Sequence, residues 1–80
     1  MARGTIRYWA AARAAAGTAE EPYDAATLGE ALDAARSRRG SDFSRVLSHS
    51  SFLVNGLRSR VEAQLEDDAV IEVLPPFAGG

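Results

Sequence analysis

The chain of 80 residues contains no cysteine and no lysine, one histidine, and no apolar run approaching the length of a membrane span. Without thiols there is no disulfide framework, no thiolate metal site, no persulfide on the protein and no cysteine nucleophile. All nine basic residues are arginine, which leaves Met1 with the only amine. Schiff-base chemistry at a side chain is therefore excluded, and the chain is suited to be donated to an amine rather than to receive one. A formal charge of −2 and an isoelectric point near 5.2 argue against nucleic acid as the main partner, because phosphate recognition needs a concentrated basic face. The apolar stretches are too short to cross a membrane, and Met1-Ala2-Arg3-Gly4 does not open a signal peptide. A cytoplasmic protein is the expectation.

What is present describes one compact domain over residues 1–80. Hydrophobic residues make up 46% and charged residues 25% of the chain, with seven glycines and three prolines. Alanine supplies 16 of the hydrophobic positions, so the core rests on few large side chains. A chain of this size buries roughly 60% of its unfolded surface, which leaves little room for an internal ligand cavity.

Thr5 to Ala10 alternates, with Ile6, Tyr8 and Ala10 on one face and Arg7 and Trp9 on the other, and reads as the first strand. The alanine-rich run that follows is stopped by Gly17 and predicts a helical turn or a loose connection. Glu20 to Tyr23 predicts a short strand that Pro22 confines to an edge. Thr27-Leu28-Gly29-Glu30 fits a capping box. Leu28, Ala31, Leu32 and Ala35 then recur at helical spacing, with Arg36, Arg38 and Arg39 in the last turn and Gly40 at the stop. Asp42 to Leu47 predicts a short second helix. Asn55-Gly56 between Phe52–Val54 and Leu57–Ser59 predicts a hairpin with a type I′ turn. Glu66-Asp67-Asp68 is a polar turn, and Val70 to Leu74 reads as an interior strand ended by Pro75. The order predicts an α+β fold: a mixed sheet crossed by one main helix, the last strand lying beside the first.

The usual catalytic constellations are missing from the sequence. His49 lies among serines, but no nucleophile-elbow pattern accompanies them, and a helix-end or surface histidine is the better reading. The acidic turn lacks the alternating ligand spacing of a calcium loop, and no glycine-rich phosphate loop is present. What remains is the end of the chain. Pro75 and Pro76 hold Phe77, Ala78, Gly79 and Gly80 off the body, and glycine has no Cβ to clash inside a narrow cleft. Four extended residues reach roughly 13–14 Å, enough to enter a partner's active site. Trp9, Phe52 and Leu74 are candidates for a docking patch, and Phe77 is read as an anchor in the partner's channel, with packing back on its own sheet as the alternative.

The ending Val73-Leu74-Pro75-Pro76-Phe77-Ala78-Gly79-Gly80, preceded by Leu65-x-Asp67 and Val54-Asn55-Gly56, resembles the small sulfur-carrier subunits of molybdopterin synthase, a ubiquitin-like β-grasp family. Pro-Pro-x-x-Gly-Gly is the specific element. The resemblance implies one ubiquitin-like domain with a tail over 75–80 and no catalytic site of its own. It also implies that Gly80 is adenylated by an E1-like adenylyltransferase using ATP, then converted to a thiocarboxylate that donates sulfur to the pterin precursor in the large synthase subunit. Pro75, Pro76, Phe77, Ala78 and Gly79 would bind the partner, with no metal and no permanently bound cofactor. Carriers for thiamine or cysteine biosynthesis and ubiquitin-like protein modifiers share the Gly-Gly ending and are the alternatives. Asp68-Ala69 departs from the Gly-Asp usual in that family, so Asp68 is expected to take a left-handed conformation.

Overall fold

The computed structural model describes residues 1–76. Strand β1 (Ala2–Tyr8) leads to α1 (Ala10–Ala16), β2 (Glu20–Ala25), α2 (Leu28–Ser37), α3 (Ser41–Ser48), β3 (Ser51–Val54), β4 (Leu57–Arg58) and β5 (Val70–Leu74). The strands form one sheet in the order β2-β1-β5-β3-β4. β1 and β5 are parallel at its centre, and β2, β3 and β4 join antiparallel. The first and last strands are neighbours, as their apolar character predicts.

Alternation sets which face each strand buries. Ala2, Ile6 and Tyr8 of β1 and Ile71 and Val73 of β5 point into the core, where Leu28, Ala31, Leu32 and Ala35 of α2 and Phe43 and Leu47 of α3 meet them. Burying each of the larger side chains contributes about 1.5–3 kcal/mol. The helical spacing read from the sequence thus marks the buried stripe of α2.

The start of α2 shows why residues 59–65 lie where they do. A helix leaves its first N–H groups without internal partners. Here Leu28 N–H donates to Ala63 O at 2.9 Å and Gly29 N–H to Val61 O at 2.9 Å. Glu30 N–H donates to Thr27 Oγ1 at 3.2 Å, while the Glu30 carboxylate accepts from the Thr27 N–H, completing the capping box. An ideal Cβ on Gly29 would stand 3.2 Å from Val61, so a small residue there lets the loop approach.

Three sequence expectations are corrected. The first strand ends at Tyr8. Ala10 leaves its face, opening α1 with a φ of 49° and an exposed side chain. The connection after Trp9 is a seven-residue helix, closed by Gly17 in the left-handed region, because packing against the core supplies what a short alanine run lacks alone. The helix at 42–47 is consequently the third, and it runs from Ser41 to Ser48.

The turns obey their residues. Asn55 and Gly56 both have positive φ, at 49° and 81°, as the hairpin requires. Asp68 is left-handed at 67°, as expected where the resembling family carries glycine. Its N–H donates to Arg3 O at 2.7 Å, and the Arg3 N–H donates to Asp67 Oδ1 at 3.2 Å, tying the turn to β1.

Candidate functional site

The tail leaves from the middle of the sheet. Leu74, the last residue of β5, is paired with Ser51 of β3, and Pro75 is half-buried while Pro76 is exposed. Neither proline can donate to a ladder, so both sheet neighbours stop here. Phe77, Ala78, Gly79 and Gly80 lie outside the described residues.

Around this exit, among the described residues, no helix or loop covers the sheet face opposite the helices. Registers place its residues in rows: Glu20, Arg7, Glu72, Leu53 and Arg58 in one, and Pro22, Thr5 and Val70 in the next. Leu74 and Trp9 stand closest to the tail. Trp9 is 43% exposed, and its indole Nε1–H donates to Glu72 Oε2 at 3.1 Å. Its backbone N–H donates to Val73 O at 3.1 Å, extending the β1–β5 pairing past the end of β1. The rim is charged: Arg7 pairs with Glu20 and Arg3 with Asp24, each at 3.4 Å. Trp9, Leu53, Val70 and Leu74 thus lie around the central Glu72 with further charges beside them, and apolar and aromatic groups exposed among polar ones have the anatomy of a protein-binding face.

Of the docking candidates, Trp9 and Leu74 lie on this face and Phe52 does not. Phe52 pairs with Val73 and packs against the core, so its neighbour Leu53 takes the outer position. The two-residue period puts Phe52 and Leu53 on opposite faces, and only the register with β5 decides which of them faces out.

A second polar group missed in the sequence sits on the other face. Glu21, the inward residue of edge strand β2, accepts from the Tyr8 hydroxyl and lies 2.9 Å from Arg39 Nη1 and 3.1 Å from Arg38 Nη2. Arg39 also donates to Ala16 O at 3.1 Å and Ala35 O at 3.2 Å, so it serves the last turns of α1 and α2. Its guanidinium stands 4.8 Å from the Phe43 ring centroid. Burial, reinforced by Glu21, pushes the Tyr8 phenol up. Burial would raise Glu21 too, but hydrogen bonds from Arg39 and Tyr8 outweigh it and hold the carboxyl below its ordinary range. Helical spacing alone places both arginines only at the end of α2. Their partner is more than 15 residues away in sequence and meets them only through sheet pairing.

His49 is the C-cap of α3 and exposed, with Nδ1 2.9 Å from Arg45 O. Among the described residues no cluster of histidine and carboxylates is placed to hold a metal ion, and no helix is long and apolar enough to cross a membrane.

Comparison with solved structures gives the small archaeal modifier protein 1 of Methanosarcina acetivorans (TM-score 0.88, 26% identity, covering 100% of this chain and 98% of that one). It also gives a molybdopterin converting factor subunit 1 of Pyrococcus furiosus (0.84, 22%, 96% and 100%). A complex of subunits 1 and 2 of the molybdopterin-converting factor of Helicobacter pylori matches as well (0.71, 20%, 98% and 99%). The five-stranded mixed sheet with three helices is the β-grasp, ubiquitin-like fold of these neighbours. Comparison with curated protein sequences finds no match. The ThiS family model matches residues 6–80, from the first buried isoleucine to the final glycine, and the chain belongs to the ThiS family.

Proposed function

We propose that this protein is the sulfur carrier of a molybdopterin synthase and that the Gly80 carboxylate is its reactive group. The observation that carries the reading is the placement of Pro75-Pro76 at the end of the central strand, beside an uncovered face bearing Trp9, Leu53 and Leu74. A partner gripping that face receives the following four residues at a fixed starting point. A carboxylate is a poor electrophile. An E1-like adenylyltransferase would join Gly80 to AMP and release pyrophosphate from ATP, and hydrosulfide from a sulfur donor would then displace AMP. The resulting thiocarboxylate is a soft nucleophile that the large synthase subunit would shield from water while it attacks the pterin precursor. Pro75, Pro76, Phe77, Ala78 and Gly79 would contact the partner, the later ones filling its channel while Pro75 fixes the exit angle. The Helicobacter pylori complex of the two subunits supports a large-subunit partner.

The test is intact mass after incubation with the activating enzyme, ATP and a sulfur donor. One oxygen-to-sulfur exchange at Gly80 is expected, and an unchanged mass overturns the reading. The resemblance to the small archaeal modifier protein favours a second reading, amide transfer of Gly80 to lysines of other proteins. Lysine-linked adducts in a lysate, together with no rescue of a molybdoenzyme defect, would select it. Rescue of thiamine or cysteine synthesis alone would place the chain in a sister pathway.

A further inference from the structure

Six of the nine arginines have a carboxylate partner: Arg3, Arg7, Arg36, Arg38, Arg39 and Arg45. Of the other three, Arg13 lies in the last turn of α1, where a cation complements the helix dipole. Arg58 and Arg60 have neither role among the described residues, and they occur together. Both are exposed and line one shallow hollow of about 640 Å³ with Ser51, Phe52, Ser59 and Glu62. Two hydroxyls at this hollow are spent on the chain's own carbonyls, Ser50 on Val46 O and Ser59 on Leu57 O. The two guanidinium groups are therefore its main unspent donors, and Glu62 is its single carboxylate.

The hollow's position is fixed. Arg58 pairs with Leu53 and so belongs to the uncovered face, and Ser51 pairs with Leu74, the residue before the tail. Gly29 N–H to Val61 O and Ala63 N–H to Arg60 O pin the segment that carries Arg60. Arg58 therefore lies on the face beside the exit of the tail, and Arg60 lines the same hollow. In a chain of net charge −2, two arginines against the one carboxylate of Glu62 leave the hollow a local positive excess that selects for the opposite charge.

We infer that Arg58 and Arg60 form an electrostatic recognition site for an acidic segment of the large synthase subunit, a stretch presenting at least two carboxylates over the hollow beside the tail. This rests on the carrier reading and specifies what its docking partner must bring. Arginine suits the task, since its planar fork binds carboxylates in pairs. Such pairs act chiefly on association rate and partner choice, and salt screens them.

The experiment measures binding of the full chain to the large subunit across salt concentrations, for the natural sequence, R58E/R60E, R58K/R60K, R45E and W9A. Binding by R58E/R60E is expected to weaken by about tenfold at low salt, with most of the loss disappearing at high salt. R58K/R60K, which keeps the charge and loses the fork, should fall between the natural chain and R58E/R60E, and R45E, on the helical side, should bind normally. Equal affinity of R58E/R60E and the natural chain at low salt overturns the inference, as does a loss that salt does not diminish. W9A separates the two levels: if it weakens binding while R58E/R60E does not, the docking reading stands and the arginine site falls. If neither variant nor removal of residues 75–80 matters, both fall.

Discussion

At the residue scale, small local geometries carry large consequences. Gly4 faces the core between Ala2 and Ile6, and an ideal Cβ there would stand 2.3 Å from Ala69 O and 2.6 Å from the Tyr23 hydroxyl, which itself donates to Ala69 O at 2.8 Å. G4A is expected to destabilise by about 1–3 kcal/mol, read as a lower urea midpoint with an unchanged slope. Asp68 gives the opposite sign. Its left-handed backbone costs an L-residue about 1–2 kcal/mol, which glycine avoids at some entropic cost. D68G should therefore raise the midpoint slightly, and a fall would show that the Asp68 side chain has a stabilising role.

Glu21 belongs to the same scale. Its side chain is only 14% exposed, as is 15% of Arg39, so E21Q leaves a partly buried guanidinium without its counter-charge. A loss of roughly 3 kcal/mol is expected. The pH dependence follows from direction. The folded carboxyl titrates below its unfolded value, so its contribution is complete above about pH 4.3 and vanishes as pH falls through the folded value. Thermal unfolding followed from pH 6 to pH 3 should show a steeper decline for the natural chain than for E21Q.

At the element scale, caps and edges decide where the structure stops. The Thr27 side chain satisfies the Glu30 N–H at the start of α2, and T27A should cost about 1 kcal/mol, checked by denaturant unfolding. The Glu30 half of the box would survive, which keeps the effect modest. Edge strand β2 is protected twice, by Pro22 and by the inward Glu21. Both are recognised devices against edge-to-edge association. Asn55 works similarly beyond its own turn: its side-chain Oδ1 accepts from the Val70 N–H at 2.8 Å, and its backbone N–H donates to Val70 O at 2.8 Å, so the hairpin turn also anchors the start of β5.

For the whole molecule, the two faces of one sheet divide the labour. The core side, with Ile6, Tyr8, Ile71 and Val73 against α2 and α3, holds the fold. The opposite side has Trp9, Leu53 and Leu74 beside the exit of the tail, outside the core cluster. W9A is accordingly expected to leave the unfolding midpoint nearly unchanged while weakening capture by the large subunit by about tenfold or more, in line with exposed aromatic anchors. A matched loss of stability and binding would instead make Trp9 a structural residue.

The sequence alone determined those features that depend on near neighbours in the chain. These are the capping box at Thr27, the stripe of Leu28, Ala31, Leu32 and Ala35, the positive φ at Asn55 and Gly56, the interior character of β5, and the Pro-Pro break before Gly-Gly. Each follows from periodicity or from the dihedral limits of a few residues. Only the tertiary structure decided that the alanine run after Trp9 forms a complete helix, that Phe52 turns inward and Leu53 outward, that Arg38 and Arg39 meet Glu21, and that Arg58 and Arg60 share one hollow beside the tail. Those outcomes depend on sheet register and on packing between segments distant in sequence, and no local pattern encodes which distant residue arrives opposite.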